Sequence, residues 1–148
     1  MTKKELFTVL LVEDDASDAL LVRYACEEAD LPVRLLHVLD GVEALAFLQR
    51  KSPWQGMPRP DLILTDLNMP RMDGLTLLEK LKSDPTWCDI PTVILSTSCA
   101  DSDILLGYQH HAAGYLVKPM DMDRLSAQLT ILFDYWRNLV TRPRYAFA

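Results

Sequence analysis

A chain of 148 residues is the size of one domain, since single domains run to about 100–200 residues, and it is long enough to bury one core. Hydrophobic residues make up 49% and charged residues 24%, which excludes the disordered class, and a formal net charge of -6 argues against a nucleic-acid surface, which needs clustered Lys and Arg. No apolar run is membrane length, and the opening Met-Thr-Lys-Lys-Glu is followed by no signal-like segment, so a cytoplasmic protein without membrane contact is expected.

The elements alternate along the chain. A strand is predicted over Phe7 to Val12, then a helix capped by Asp15 with Ala19, Val22, Cys26 and Ala29 on one face, closed by Leu31-Pro32. A second strand over Val33 to Val38 leads to a helix from Gly41 to Arg50 that runs through Val42, Leu45, Ala46 and Leu48. The segment Ser52 to Pro60 (SPWQGMPRP) is too rich in Pro and Gly to be other than a loop, and it is the one conspicuous insertion. A third strand, Leu62 to Thr65, precedes a helix over Asp73 to Ser83; a fourth, Thr92 to Leu95, precedes a helix over Ser102 to His111. The fifth strand, Tyr115 to Val117, is followed by a long helix from Asp121 to Val140 and a tail, Thr141 to Ala148, without periodicity and expected to be disordered. The first, third and fourth strands are almost continuously apolar, as strands covered on both faces are. Five βα repeats of this kind predict an α/β fold, a parallel sheet doubly wound with helices, in one domain with a core over about 7–140.

The polar residues of interest stand directly after strands: Glu13, Asp14 and Asp15 after the first, Asp66 after the third, Ser96 and Thr97 after the fourth, Lys118 after the fifth. In an open α/β sheet those strand ends lie on one edge, where ligands bind at the point of reversed winding, so these residues should converge. Each alone has an ordinary explanation as a helix cap or a solvated charge. Four strands ending this way together are better explained by a site. Carboxylates brought together repel, so a cation is expected, and an oxygen-only donor set with room for water suits Mg²⁺. With Lys118 as a second positive charge, the parts are those of phosphoryl transfer.

The segments LLVEDD (Leu10 to Asp15), PDLILTDLNMPRMDG (Pro60 to Gly74), IPTVILSTS (Ile90 to Ser98) and GYLVKP (Gly114 to Pro119) resemble the response-regulator receiver family in order and spacing over about residues 7–138. The resemblance implies a flavodoxin-like fold with strand order 2-1-3-4-5, and a phosphorelay module that catalyses only its own phosphorylation and dephosphorylation. It implies Asp66 as phosphoacceptor, Glu13 and Asp14 as the acidic pair, and the Asn68 backbone carbonyl as a further ligand of Mg²⁺. It also implies Ser96 as switch hydroxyl with Thr97 as the fallback, Lys118 as the phosphate-contacting lysine, Pro119 as a cis proline and Tyr115 as the switch aromatic. Ser96 departs mildly from the pattern, where Thr is commoner. A finer resemblance, through DGVEALAFL (Asp40 to Leu48), KLKSDPTWCDIPTVILSTS and the aromatic fifth helix, is to stand-alone phytochrome-associated response regulators. That implies a light-regulated sensor histidine kinase as partner and no output domain.

Two other classes fit the residues less well. A phosphatase of the haloacid-dehalogenase type needs an acid two residues after its aspartate nucleophile, and here that position is Asn68. A flavodoxin-like nucleotide binder would want a Gly-rich phosphate loop where Glu-Asp-Asp stands. Cys26, Cys88 and Cys99 show no pairing or ligand spacing and read as buried or half-buried free thiols; His37, His110 and His111 read as solvated or packed, and Trp54, Met57 and Trp87 as packing residues with a partner role open for the first two. On the fifth helix, Leu125, Leu129, Leu132, Phe133, Trp136 and Leu139 form the core stripe, while Ile131 and Tyr135 lie beside it and predict a homodimer surface.

Overall fold

The computed structural model describes residues 6–143; the last five residues of the predicted tail lie outside the described residues. Five parallel strands, β1 (Phe7–Val12), β2 (Val33–Val38), β3 (Leu62–Thr65), β4 (Thr92–Ser96) and β5 (Gly114–Val117), form one sheet in the order β2-β1-β3-β4-β5. Between and after them run α1 (Ala16–Glu28), α2 (Gly41–Leu48), α3 (Gly74–Lys82), α4 (Asp101–Gln109) and α5 (Met122–Asp134). Register is in step across the centre, with Val12 beside both Val38 and Thr65.

Alternation along the strands divides the core in two. Val9 and Leu11 of β1, with Leu62, Leu64, Val93 and Leu95, face α1 and α5. Leu10 and Val12, with Ile63, face α2 and α3, while Ile94 meets Leu67, Leu78 and Ala112. On α2 the buried positions are Gly41, Ala44, Phe47 and Leu48, and Val42 is exposed. Four helices start from an aspartate that accepts a backbone N–H of the first turn: Asp15 from Asp18, Asp40 from Glu43, Asp73 from Thr76 and Asp121 from Asp123. The insertion folds back as packing, with Trp54 against Phe47 at 5.4 Å between ring centroids and Met57 on the same cluster.

Several expectations are corrected. The long fifth helix widens after Asp134 into a π-type turn, Tyr135–Leu139, in which each residue advances less than the α-helical 100° or so. Leu139 is therefore rotated off the core stripe and is 74% exposed. The tail is ordered at least to its start: Arg142 donates through Nη1 to Asp61 at 2.6 Å and through Nε to the Trp136 carbonyl, and its guanidinium lies over the Phe7 ring. Cys88 and Cys99 are exposed, each standing on a connection beside β4 rather than in a core layer. Pro119 follows a trans peptide bond, the ordinary preference of an X–Pro pair, and the one cis bond among the described residues joins Ser52 to Pro53.

Candidate phosphoryl-accepting site

Winding reverses between β1 and β3, and the predicted residues meet over that crevice. Glu13 and Asp14 follow β1 at once. The Glu13 backbone N–H bonds the Val38 carbonyl, and His37 Nε2 donates to the Glu13 carbonyl at 2.7 Å, which locks the residue after the strand. Its side chain is buried, whereas Asp14 is exposed. Asp66 follows β3, its N–H on the Val12 carbonyl. Its Oδ1 accepts the Leu67 N–H at 2.7 Å, and its carbonyl accepts the Thr65 hydroxyl at 2.9 Å. Carboxylate oxygens of Glu13, Asp14 and Asp66 lie within 4.8 Å of one another.

The turn after Asp66 is clasped from two sides. Gly74 passes so close that a Cβ there would sit 2.2 Å from the Asp66 carbonyl oxygen, and its N–H bonds the Leu67 carbonyl. At the other side Arg71, in the left-handed region at φ 63°, donates to Asp40 Oδ2 at 2.7 Å, while Met72 sits where a Gly41 Cβ would be. Burial pushes the Asp40 carboxyl up, but the Arg71 guanidinium and the Glu43 N–H outweigh it and hold it below the usual range.

Lys118 supplies the cation. Its Nζ is 2.5 Å from Glu13 Oε1, 3.1 Å from Asp18 Oδ2 and 3.3 Å from Asp66 Oδ2. Burial pushes the Glu13 carboxyl up to about 7 even with Lys118 beside it; the same burial opposes the Lys118 charge, yet Glu13, Asp66 and Asp18 together raise its pKa. One lysine does not balance this many acids. A divalent cation held by oxygen donors suits the three clustered carboxylates of Glu13, Asp14 and Asp66.

Ser96 ends β4, buried, and its Oγ accepts the Ser98 N–H at 3.2 Å; Thr97 is exposed. The Tyr115 ring packs beside Ile94, and its hydroxyl donates to the Ser98 carbonyl at 2.8 Å. Asn68 lies in the same turn as Asp66, two residues on, and is exposed. Sequence reasoning missed Asp18 and the work of His37. Asp18 is three residues past the Asp15 cap, and only the fold, which brings Lys118 over the start of α1, makes the two partners. His110 and His111 stand apart at the end of α4, His110 Nδ1 bonding the Leu106 carbonyl.

Comparison with known proteins agrees with this geometry. The family model described as the response regulator receiver domain matches residues 9–130. Response regulator Rcp1 of Synechocystis sp. is 36% identical over 135 residues, 91% of this chain and 92% of that protein. Its Mn²⁺-bound crystal structure superposes with a TM-score of 0.81 at 35% identity, over 93% of this chain and 99% of that one. The phosphorylated cyanobacterial phytochrome response regulator RcpA gives 0.86 at 36% identity, over 95% and 100%. RPA3017, a response regulator in red light signaling of R. palustris, gives 0.89 at 30% identity, over 95% and 100%.

Proposed function

From the premise that the chain belongs to the response regulator receiver domain family, we propose that it is a phosphorylation switch whose acceptor is Asp66. The observation that carries this reading is one juxtaposition: Asp66 shares its carboxylate cluster with Glu13 and Asp14 and has Lys118 Nζ 3.3 Å from its Oδ2. Asp66 attacks the phosphorus of a phosphohistidine; the P–O bond forms, the P–N bond breaks, and the imidazole nitrogen keeps the electron pair. Glu13, Asp14, Asp66 and the Asn68 carbonyl would hold Mg²⁺, which neutralises phosphoryl oxygens and aligns them when bound. Lys118 takes a phosphoryl oxygen from the other side. Nothing is turned over except the protein's own phosphoryl group.

Ser96 then reads the phosphoryl group with its hydroxyl, with Thr97 as the alternative. Engaging Ser96 frees the Ser98 N–H it now accepts, on the same residue whose carbonyl Tyr115 holds. Since Tyr115 already lies inward, phosphorylation stabilises that position rather than creating it.

The donor is a sensor histidine kinase of the phytochrome kind, a reading supported by the similarity to RcpA and RPA3017. We also assign the fifth helix to a homodimer. Ile131 and Tyr135 are 72% and 44% exposed one helical turn apart, and Leu139, one turn further on, is exposed as well. Dimerisation about a two-fold axis would cover these residues with a second copy of the chain.

With Mg²⁺ and acetyl phosphate, the intact mass should rise by one phosphoryl group, and Asp66→Asn should gain none; equal labelling of the variant would remove Asp66 from its role. Sedimentation of the wild type should show a dimer at micromolar concentration that Ile131→Glu with Tyr135→Glu dissociates. A wild type that stays monomeric with and without phosphodonor would sink the dimer reading.

A further inference from the structure

Lys118 has three N–H donors, and in this structure three carboxylates, of Glu13, Asp18 and Asp66, occupy them. The three acids are not equivalent. Glu13 is buried and its second oxygen accepts the Asp15 N–H; Asp66 is fixed by the Leu67 N–H. Asp18 differs from both. Its carboxylate is about a third exposed, and among the described residues Lys118 is its hydrogen-bond and ion-pair partner.

On the reading that Asp66 is the phosphoacceptor, we propose that Asp18 is a resting-state counter-ion that competes with the phosphoryl group for Lys118. It thereby sets how completely the switch engages. The argument follows from charge and donor number. Phosphorylation replaces one carboxylate charge at Asp66 with a dianionic group whose oxygens reach beyond the old carboxylate. To contact one of them Lys118 must give up a present partner. The buried Glu13 is the costly one to abandon, because its charge would be left without a counter-ion in a poorly solvated place. Asp18 is the cheap one, since water can solvate it and the N-terminus of α1 favours a carboxylate in its first turn. Release of Asp18 is therefore the step that frees Lys118. Its strength is a fixed cost set against the phosphorylated state. Asp18 acts through Lys118 and touches no phosphoryl atom, which makes it a positioning residue.

The test uses beryllium fluoride, which with Mg²⁺ forms a phosphoryl-like adduct on an aspartate carboxylate reversibly, so that affinity is measured in place of turnover. Fluorine NMR titration at saturating Mg²⁺ is run on the wild type, Asp18→Asn, Asp18→Glu, Lys118→Ala and the Lys118→Ala, Asp18→Asn pair. Asp18→Asn should bind beryllofluoride roughly two- to fivefold more tightly, the span of a partly exposed ion pair. Asp18→Glu, which keeps a carboxylate on the same turn, should stay closer to the wild type. In the Lys118→Ala background the Asn substitution should change nothing. A gain that persists there would overturn the proposal, because it would show simple relief of repulsion between Asp18 and the adduct. Unchanged or weaker binding by Asp18→Asn, with circular dichroism showing a folded protein, would also overturn it. A wild type that forms no adduct fails the Asp66 reading itself, and is told apart by that.

Discussion

At the edge of the sheet where the strands begin, ion pairs join Asp61 to Arg142 at 2.6 Å and Arg59 to Asp89 at 2.6 Å. Both arginines also lie over aromatic rings, those of Phe7 and Trp87. At the edge where the strands end, Lys118 is the one base among the described residues that pairs with Glu13, Asp18 and Asp66, with Asp14 in the same cluster. The same residue types do opposite work. Ion pairs backed by stacking help to close the fold. An excess of acids around one base leaves a charge deficit that only a ligand can fill, and it is tolerated because the strands beneath are buried on both faces. A functional edge is recognised here by imbalance.

The largest effect that would break this contrast is expected at Lys118. Lys118→Ala strands the buried Glu13, and loss of one partner of a buried pair costs about 3–5 kcal/mol. Mg²⁺ should return much of that loss by binding the folded cluster more tightly than in the wild type. Denaturant unfolding of the variant with and without Mg²⁺ measures both; a loss that the metal does not repair would mean that Lys118 is a structural pair like those at the other edge.

A smaller effect is expected from Arg142→Ala, which removes charge-assisted bonds to Asp61 and the cover over Phe7. We expect about 1–3 kcal/mol, the range for hydrogen bonds to charged groups, reduced by the partial exposure of the pair. Mg²⁺ should not restore it, and phosphorylation by acetyl phosphate should proceed at the wild-type rate. If the metal did rescue this variant, the two edges would be coupled and the contrast would fail.

The smallest effect sharpens the comparison without disturbing either edge. Cys88 and Cys99 are exposed on the connections before and after β4, one toward each edge, while burial pushes the Cys26 thiol up to about 11. Two thiols should react quickly with a mild alkylating reagent near pH 8 and Cys26 slowly, because the thiolate is the reactive form. A phosphodonor should alter the rate at Cys99, which follows the Ser98 that Tyr115 holds, and leave Cys88 unchanged. Peptide mass mapping reads each site; equal changes at both would show a global response.

Much of this was legible in the residues. β1, β2 and β3 lie where the apolar runs place them, and the acids after β1 and β3 meet because strand ends in such a sheet share one edge. What escaped depends on partners far away in the chain. Asp18 was indistinguishable from any acid in a first helical turn until β5 brought Lys118 across from a hundred residues away. Leu139 fitted an apolar stripe drawn at a constant angle, and the widened turn at Tyr135 broke the angle. Arg142 stood in a segment with no periodicity, and a single side chain that anchors by charge leaves no periodic trace.

The close passage of Gly74 over the Asp66 carbonyl has a consequence for how such a sequence can drift. No side chain, alanine included, can be added at 74 without a shift of backbone at the Asp66 carbonyl. Most positions are constrained by their own surroundings, and a small change there meets a small penalty. Position 74 is constrained by what its neighbour must do, so its penalty does not scale with the size of the side chain. In a library holding every single replacement, the profile at 74 would be flat and low. The way out of it runs through an earlier change in the turn that lets the carbonyl shift, so two steps have to come in order, and the first brings no benefit of its own.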